Sequence, residues 1–83
     1  MKFYTIRYGH CDNSFFVASN SAGEFIVIEA FGSEFKIGHQ VLCNGVRIVN
    51  ETLNKETNAI VRSKSNEEGA YKFLSSQNES LHH

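Results

Sequence analysis

Eight residues in the first half of this chain, Glu24 to Phe31, constrain its fold more than any other segment. They read Glu-Phe-Ile-Val-Ile-Glu-Ala-Phe. Side chains alternate between the two faces of an extended strand, so beyond Glu24 this segment is apolar on both faces except at Glu29, and both faces need cover. A sheet with one face open to water does not supply that cover. A strand wrapped into a barrel and shielded on its outer side does.

The remaining apolar runs supply the partners. Tyr4, Ile6 and Tyr8 alternate with Phe3, Thr5 and Arg7 across Lys2 to Tyr8, and Phe15 and Val17 alternate with Phe16 and Ala18 across Ser14 to Ser19. From Gln40, Val41 and Cys43 face one way and Leu42 the other, and strand character resumes from Thr57 to Ser63 through Ile60 and Val61. Turn chemistry separates these runs: Gly9 to Asn13, Asn20-Ser21-Ala22-Gly23, Gly32 to Gly38, and Asn44-Gly45, a two-residue hairpin turn that folds Val46 to Val49 back onto Val41 to Cys43. Asn50 to Asn58 is polar with Leu53 as its one large apolar residue, enough for a single amphipathic turn or an irregular crossing.

The end of the chain admits two readings. Ser65 and Glu68 stand at capping-box spacing ahead of Tyr71, Phe73 and Leu74, which suits a helix. Glu67-Glu68-Gly69 also suits a three-residue hairpin loop leading to a final strand over Ala70 to Leu74. A glycine in the first turn weakens a helix by about 1 kcal/mol, which favours the strand. Strands at spacings near ten residues, almost no helical pattern and an aromatic content of 12% predict an all-β fold: a small OB-like barrel of five to seven short antiparallel strands. The barrel is expected over residues 1–76 as a single domain. A polar tail, 77–83, follows, and its last two residues, His82 and His83, resemble the stub of a purification tag.

Size and charge limit the function. A chain of 83 residues buries only roughly 60% of its unfolded surface, so one core takes most of the apolar side chains and little is left to line a deep pocket. An enzyme is therefore not expected. Eight Lys and Arg against nine Asp and Glu give a net charge of −1, so no overall basic field draws in nucleic acid or anionic lipid, and such binding has to rest on a local patch. No apolar run approaches the ~20 residues that span a bilayer, and no export signal opens the chain, so a cytoplasmic protein with no membrane partner is expected. In that compartment Cys11 and Cys43 are expected to be reduced rather than bridged.

His10, Cys11, His39 and Cys43 are enough in kind for a zinc site, but neighbouring side chains on extended backbone point to opposite faces and no C-x-x-C or H-x-x-x-H pair is present. No metal or other cofactor is expected. A Cys–His nucleophile, Cys11 with His39 or Cys43 with His10, lacks any sequence motif for an oxyanion hole, and Asp12 is the single Asp. Glu29, alone on its apolar strand, is expected either on a solvent face or paired with Arg7 or Arg62 from a neighbouring strand. Arg62, Lys64 and Lys72 would form a phosphate-contacting stripe if they aligned across a hairpin, although lysines on strand edges more commonly serve to discourage aggregation.

Over roughly Lys2 to Lys64 the order of strands and turns resembles the cold-shock domain, a five-stranded OB-type barrel. Asp12-Asn13-Ser14-Phe15-Phe16-Val17 stands where that family has Lys-Gly-Phe-Gly-Phe-Ile, Phe25-Ile26-Val27-Ile28 where it has Val-Phe-Val-His, and Gly38-His39-Gln40-Val41 echoes its Gly-Gln-x-Val. The chain is also similar to very small bacterial barrel proteins. The resemblance implies contact with single-stranded DNA or RNA by stacking and phosphate binding. It departs from the family at Ile26 and Ile28, which replace stacking Phe and His, and at Arg7, which stands where the first strand carries an exposed Trp. The reduced platform it implies is Arg7, Tyr8, Phe15 and Phe16 with the basic residues Arg62 and Lys64. The alternative is a protein-interaction or structural module, self-associating or docking another chain through edge strands or a Phe31/Phe35 patch.

Overall fold

Ile26, Val27 and Ile28 are completely buried, so the doubly apolar strand is covered on both faces. The computed structural model describes residues 2–10, 14–31, 35–45 and 47–81. In chain order the elements are β1 (Lys2–His10), β2 (Phe15–Ser19), β3 (Phe25–Ala30), β4 (Gln40–Asn44), β5 (Arg47–Asn50), β6 (Lys55–Ser65) and α1 (Glu67–Leu81). The six strands pair antiparallel and close in the order β1-β2-β3-β6-β5-β4, with β4 returning to β1. This is an all-β barrel within the expected range, with one strand more than the five of a cold-shock domain.

Two cores lie on either side of the sheet. The inner one gathers Tyr4, Ile6, Phe16, Ile26, Ile28 and Val41 inside the barrel, and Phe35, from the β3–β4 connection, packs its ring 5.2 Å from that of Phe16. The outer one is formed by Phe15, Val17 and Val27 under Ala70 and Leu74 of α1, with Phe73 edge-on to Phe15 at 6.1 Å. The cover expected over β3 is thus a helix.

That helix corrects the preference for a final strand over Ala70 to Leu74. The capping residue is Asn66, whose Oδ1 accepts from the Gly69 N–H at 2.8 Å, while the Ala70 N–H donates to the Asn66 carbonyl at 3.0 Å. Gly69 is not merely tolerated, because a Cβ there would run into Oγ of Ser65 and stand 2.8 Å from its Cβ. An N-cap contributes about 1 kcal/mol and a buried Leu about 1.5–3 kcal/mol, which together exceed the glycine's cost of about 1 kcal/mol. The helix continues to Leu81, through residues 77–81 of the expected tail.

Local details set the register. Asn20 holds the β2–β3 turn by accepting at Oδ1 from the Ala22 and Glu24 N–H groups, both at 3.0 Å, and Gly23 takes a φ of 83° that L residues rarely adopt. Asn44 pairs with Arg47, so the β4–β5 turn falls one residue later than Asn44-Gly45. The resulting slide keeps Ile48 facing inwards, opposite Cys43. Glu29 pairs with Arg62 at 3.2 Å, one of the two cations expected for it.

Candidate functional site

The first strand carries an irregularity that changes which side chains reach water. Ile6 pairs with Ala18 but Tyr8, two residues on, pairs with Val17, so the register shifts between them. A bulge of this kind sets two residues against one and re-aims a side chain. Regular alternation would send Tyr8 inside with Tyr4 and Ile6. Instead Tyr8 is exposed next to Arg7, and Phe3, Thr5, Arg7 and Tyr8 all face outwards from one strand.

Phe3 is 58% exposed, an aromatic ring set in water at the start of this face. Between it and Arg7 lies a cavity of about 340 Å³, bordered by Ser19 and Asn20 from the end of β2 and by Gln40 of β4. Its rim therefore combines an aromatic face, a guanidinium and short polar side chains. Among the described residues Arg7 makes no ion pair, whereas Lys2 is held by Glu24, Arg62 by Glu29 and Lys72 by Glu68.

The six residues named from the sequence do not come together. Arg7 and Tyr8 are adjacent on this face. Phe16 lies in the inner core against Phe35, and Phe15 in the outer core beneath Phe73, so neither ring is presented for stacking. Ile26 and Ile28, at the family's stacking positions, are buried in the inner core as well. Arg62 is neutralised by Glu29, and Lys64 pairs across to inward-facing Ile26 at one end of the barrel, so Arg62, Lys64 and Lys72 form no common stripe. Phe3 is not among those six, although the alternation that sends Tyr4 and Ile6 inwards also sends Phe3 into solvent.

The alternative docking features are also changed. The described strands close into a barrel, with β4 paired to β1 over Lys2 to Thr5, so strand addition is left only the stretches where one strand outruns its neighbour. Phe35 is buried in the core, so the Phe31/Phe35 patch reduces to Phe31, 49% exposed beside a cavity of about 250 Å³ between β5 and β6.

The groups considered for catalysis are occupied or inert where they are described. His39 Nδ1 accepts from the Lys36 N–H at 3.2 Å and lies 3.0 Å from Asn50 Nδ2, so the ring ties two loops together. Cys43 is a free thiol buried inside the barrel, and burial pushes it up to about 11, with Lys64 drawing it slightly back. Such a thiol is almost wholly protonated at neutral pH and a poor nucleophile. Cys11, Asp12 and the side chain of His10 lie outside the described residues, as do Glu34 and Val46. Among the described residues no three His, Cys, Asp or Glu side chains are placed to hold a metal ion, and no helix is long and apolar enough to cross a membrane. Comparison with protein-family models, with curated proteins and with solved structures finds no match.

Proposed function

We propose that this chain is a non-catalytic binding module that holds single-stranded DNA or RNA, weakly and without sequence preference, along the outer face of β1. The observation that carries the reading is the bulge, which turns Tyr8 out to join Phe3 and Arg7, already outward by alternation, on one face of one strand. Every base has a π-face, and stacking on an aromatic ring is worth about 1–3 kcal/mol per base. A guanidinium covers a base or meets a phosphate. Phe3 and Arg7 are four residues apart, about 13 Å at the rise of a strand. That separation suits neighbouring contacts on one strand, with Ser19, Asn20 and Gln40 available to hydrogen-bond the sugar-phosphate between them. The resemblance to cold-shock domains supports the same use of an outer barrel face, with Arg7 standing where those proteins have an exposed aromatic.

The test is fluorescence anisotropy of labelled single-stranded DNA and RNA titrated with the protein at low salt. Binding is expected to be micromolar or weaker. Because one unpaired cation faces the strand, log K is expected to fall against log salt with a slope of only about −0.7 per phosphate contacted. Phe3→Ala and Arg7→Gln should each weaken binding several-fold and leave the fold intact. Absence of binding at the highest soluble concentration overturns the reading.

A second reading rests on Phe31, half in water beside its cavity. In it the module docks another protein chain, a second copy being the simplest. A solution mass near twice 9.4 kDa that Phe31→Asp returns to the monomer value is the outcome that favours it.

A further inference from the structure

One end of the barrel collects charge around a polar atom that has no partner. Tyr4 is 1% exposed, and its hydroxyl is buried without a hydrogen bond. A buried hydroxyl in a native fold normally finds a partner, and one that does not calls for a physical explanation. The surrounding residues are set by register. Lys2 pairs with Cys43, whose side chain is in the inner core, and Lys64 pairs with inward-facing Ile26. Glu24 precedes Ile26 by two positions and shares its face. Lys2, Tyr4, Cys43, Lys64 and Glu24 therefore converge on the same mouth of the barrel.

Across that mouth Lys2 Nζ meets Glu24 Oε1 at 2.6 Å, and Asn20 Nδ2 donates to the same oxygen at 3.3 Å. The Lys2 and Glu24 side chains are 54% and 30% exposed, so the bridge is a solvated one and opens at little cost. Lys64 makes no ion pair among the described residues, and the mouth as a whole carries two ammonium groups against one carboxylate. Apart from the Glu24 carboxylate, the groups at the mouth are donors: two ammonium groups, a phenol O–H and a protonated thiol. Once Lys2 is released from Glu24, such a set is complementary to an oxyanion.

We infer that this mouth is a binding site for a phosphate group, held between Lys2 and Lys64 with the Tyr4 hydroxyl donating to one of its oxygens. The phosphate takes the place of Glu24 both as the partner of Lys2 and as the acceptor nearest the buried hydroxyl, to which Glu24 makes no well-formed hydrogen bond. The same chemistry is offered by free phosphate and by the terminal phosphate of a nucleic-acid strand. Lys2 is next to Phe3 in the chain, so a strand lying on the β1 face would bring its end to the mouth; that second source rests on the proposed nucleic-acid reading, and the first does not.

The experiment follows backbone amide resonances of the intact chain while inorganic phosphate is added at fixed ionic strength, with chloride as the control anion. Saturable shifts at Lys2, Tyr4, Glu24, Cys43 and Lys64, absent with chloride, are expected. Tyr4→Phe and Lys64→Gln should each weaken the affinity about tenfold, the scale of one hydrogen bond to a charged group. Equal shifts in the two salts, or unchanged affinity in both variants, overturn the site. A second arm compares oligonucleotides with a 5′-phosphate, a 3′-phosphate or hydroxyls at both ends. Tighter binding of a phosphorylated end that Lys64→Gln abolishes, with the hydroxyl oligonucleotide unaffected, assigns the strand end as the source. Phosphate shifts without an end preference assign free phosphate. Failure of all oligonucleotides to bind removes the β1 reading alone.

Discussion

Replacing Tyr4 by Phe removes one oxygen atom and nothing else from the barrel. Loss of a buried group usually destabilises, but here the hydroxyl makes no well-formed hydrogen bond and has only the weak pull of the Glu24 carboxylate to lose. Burying an unbonded hydroxyl costs about 1–3 kcal/mol on mutational scales. The charges of Lys2 and Glu24 nearby partly solvate it, so the gain in Tyr4→Phe is placed at the lower end, about 1 kcal/mol. In a domain of this size that raises the melting temperature by about 4–8 °C, measurable by calorimetry at neutral pH in a buffer without phosphate. The alkaline limb is an independent readout. Burial, and then the Glu24 carboxylate, raise the phenol above its ordinary value of 10.0. The folded state thus holds that proton more tightly than the unfolded chain, which adds stability below pH 10 that is lost as pH climbs through the raised value. Tyr4→Phe should lack that part of the alkaline decline. A variant less stable than the parent by about 1 kcal/mol or more (about fivefold in the folding equilibrium) would refute the reasoning, because the hydroxyl would then be bonded within the folded protein.

Three further outcomes follow from the packing. Gly69→Ala, ordinarily favourable in a helix by about 1 kcal/mol, should instead lower stability through the contact with Ser65, and Ser65→Gly in the same chain should restore it; melting temperature and helical circular dichroism report both. Phe35→Asp should prevent folding by placing a charge against Phe16, whereas Phe31→Asp should leave the melting curve within about 0.5 kcal/mol of the parent. Cys43, in a Cys11→Ser background, should resist thiol reagents at neutral pH and react at the full rate once denatured. Its thiol is raised from 9.0 to about 11, so it adds stability that disappears as pH rises across that window.

How much of this was legible in the sequence depended on whether a residue's neighbours in the chain were also the neighbours that decide its fate. The alternation in Glu24 to Phe31 reports burial of both faces directly, and the structure places cover on both. The identity of the outer cover was not legible. The cost of Gly69 is local and visible, while the Asn66 cap and the burial of Ala70 and Leu74 against Phe15 and Val27 depend on a sheet face assembled from distant segments. Tyr8 shows the same limit for the candidate site. A strict period of two puts it inside with Tyr4 and Ile6, and one bulge sends it out beside Arg7. Phe15 and Phe16 read as ring platforms from sequence because aromatic residues on a strand look alike whether they meet a ligand, a core or a helix.

The helix that shields the sheet also sets an order of events during synthesis. Phe15, Val17, Phe25 and Val27 leave the ribosome before the residues that will cover them. At ~5–20 residues per second the interval is on the order of seconds, long compared with the microseconds in which a hairpin forms. During that time β2 and β3 can pair and turn their inner side chains together, but their outer side chains remain a sticky strip until α1 is made.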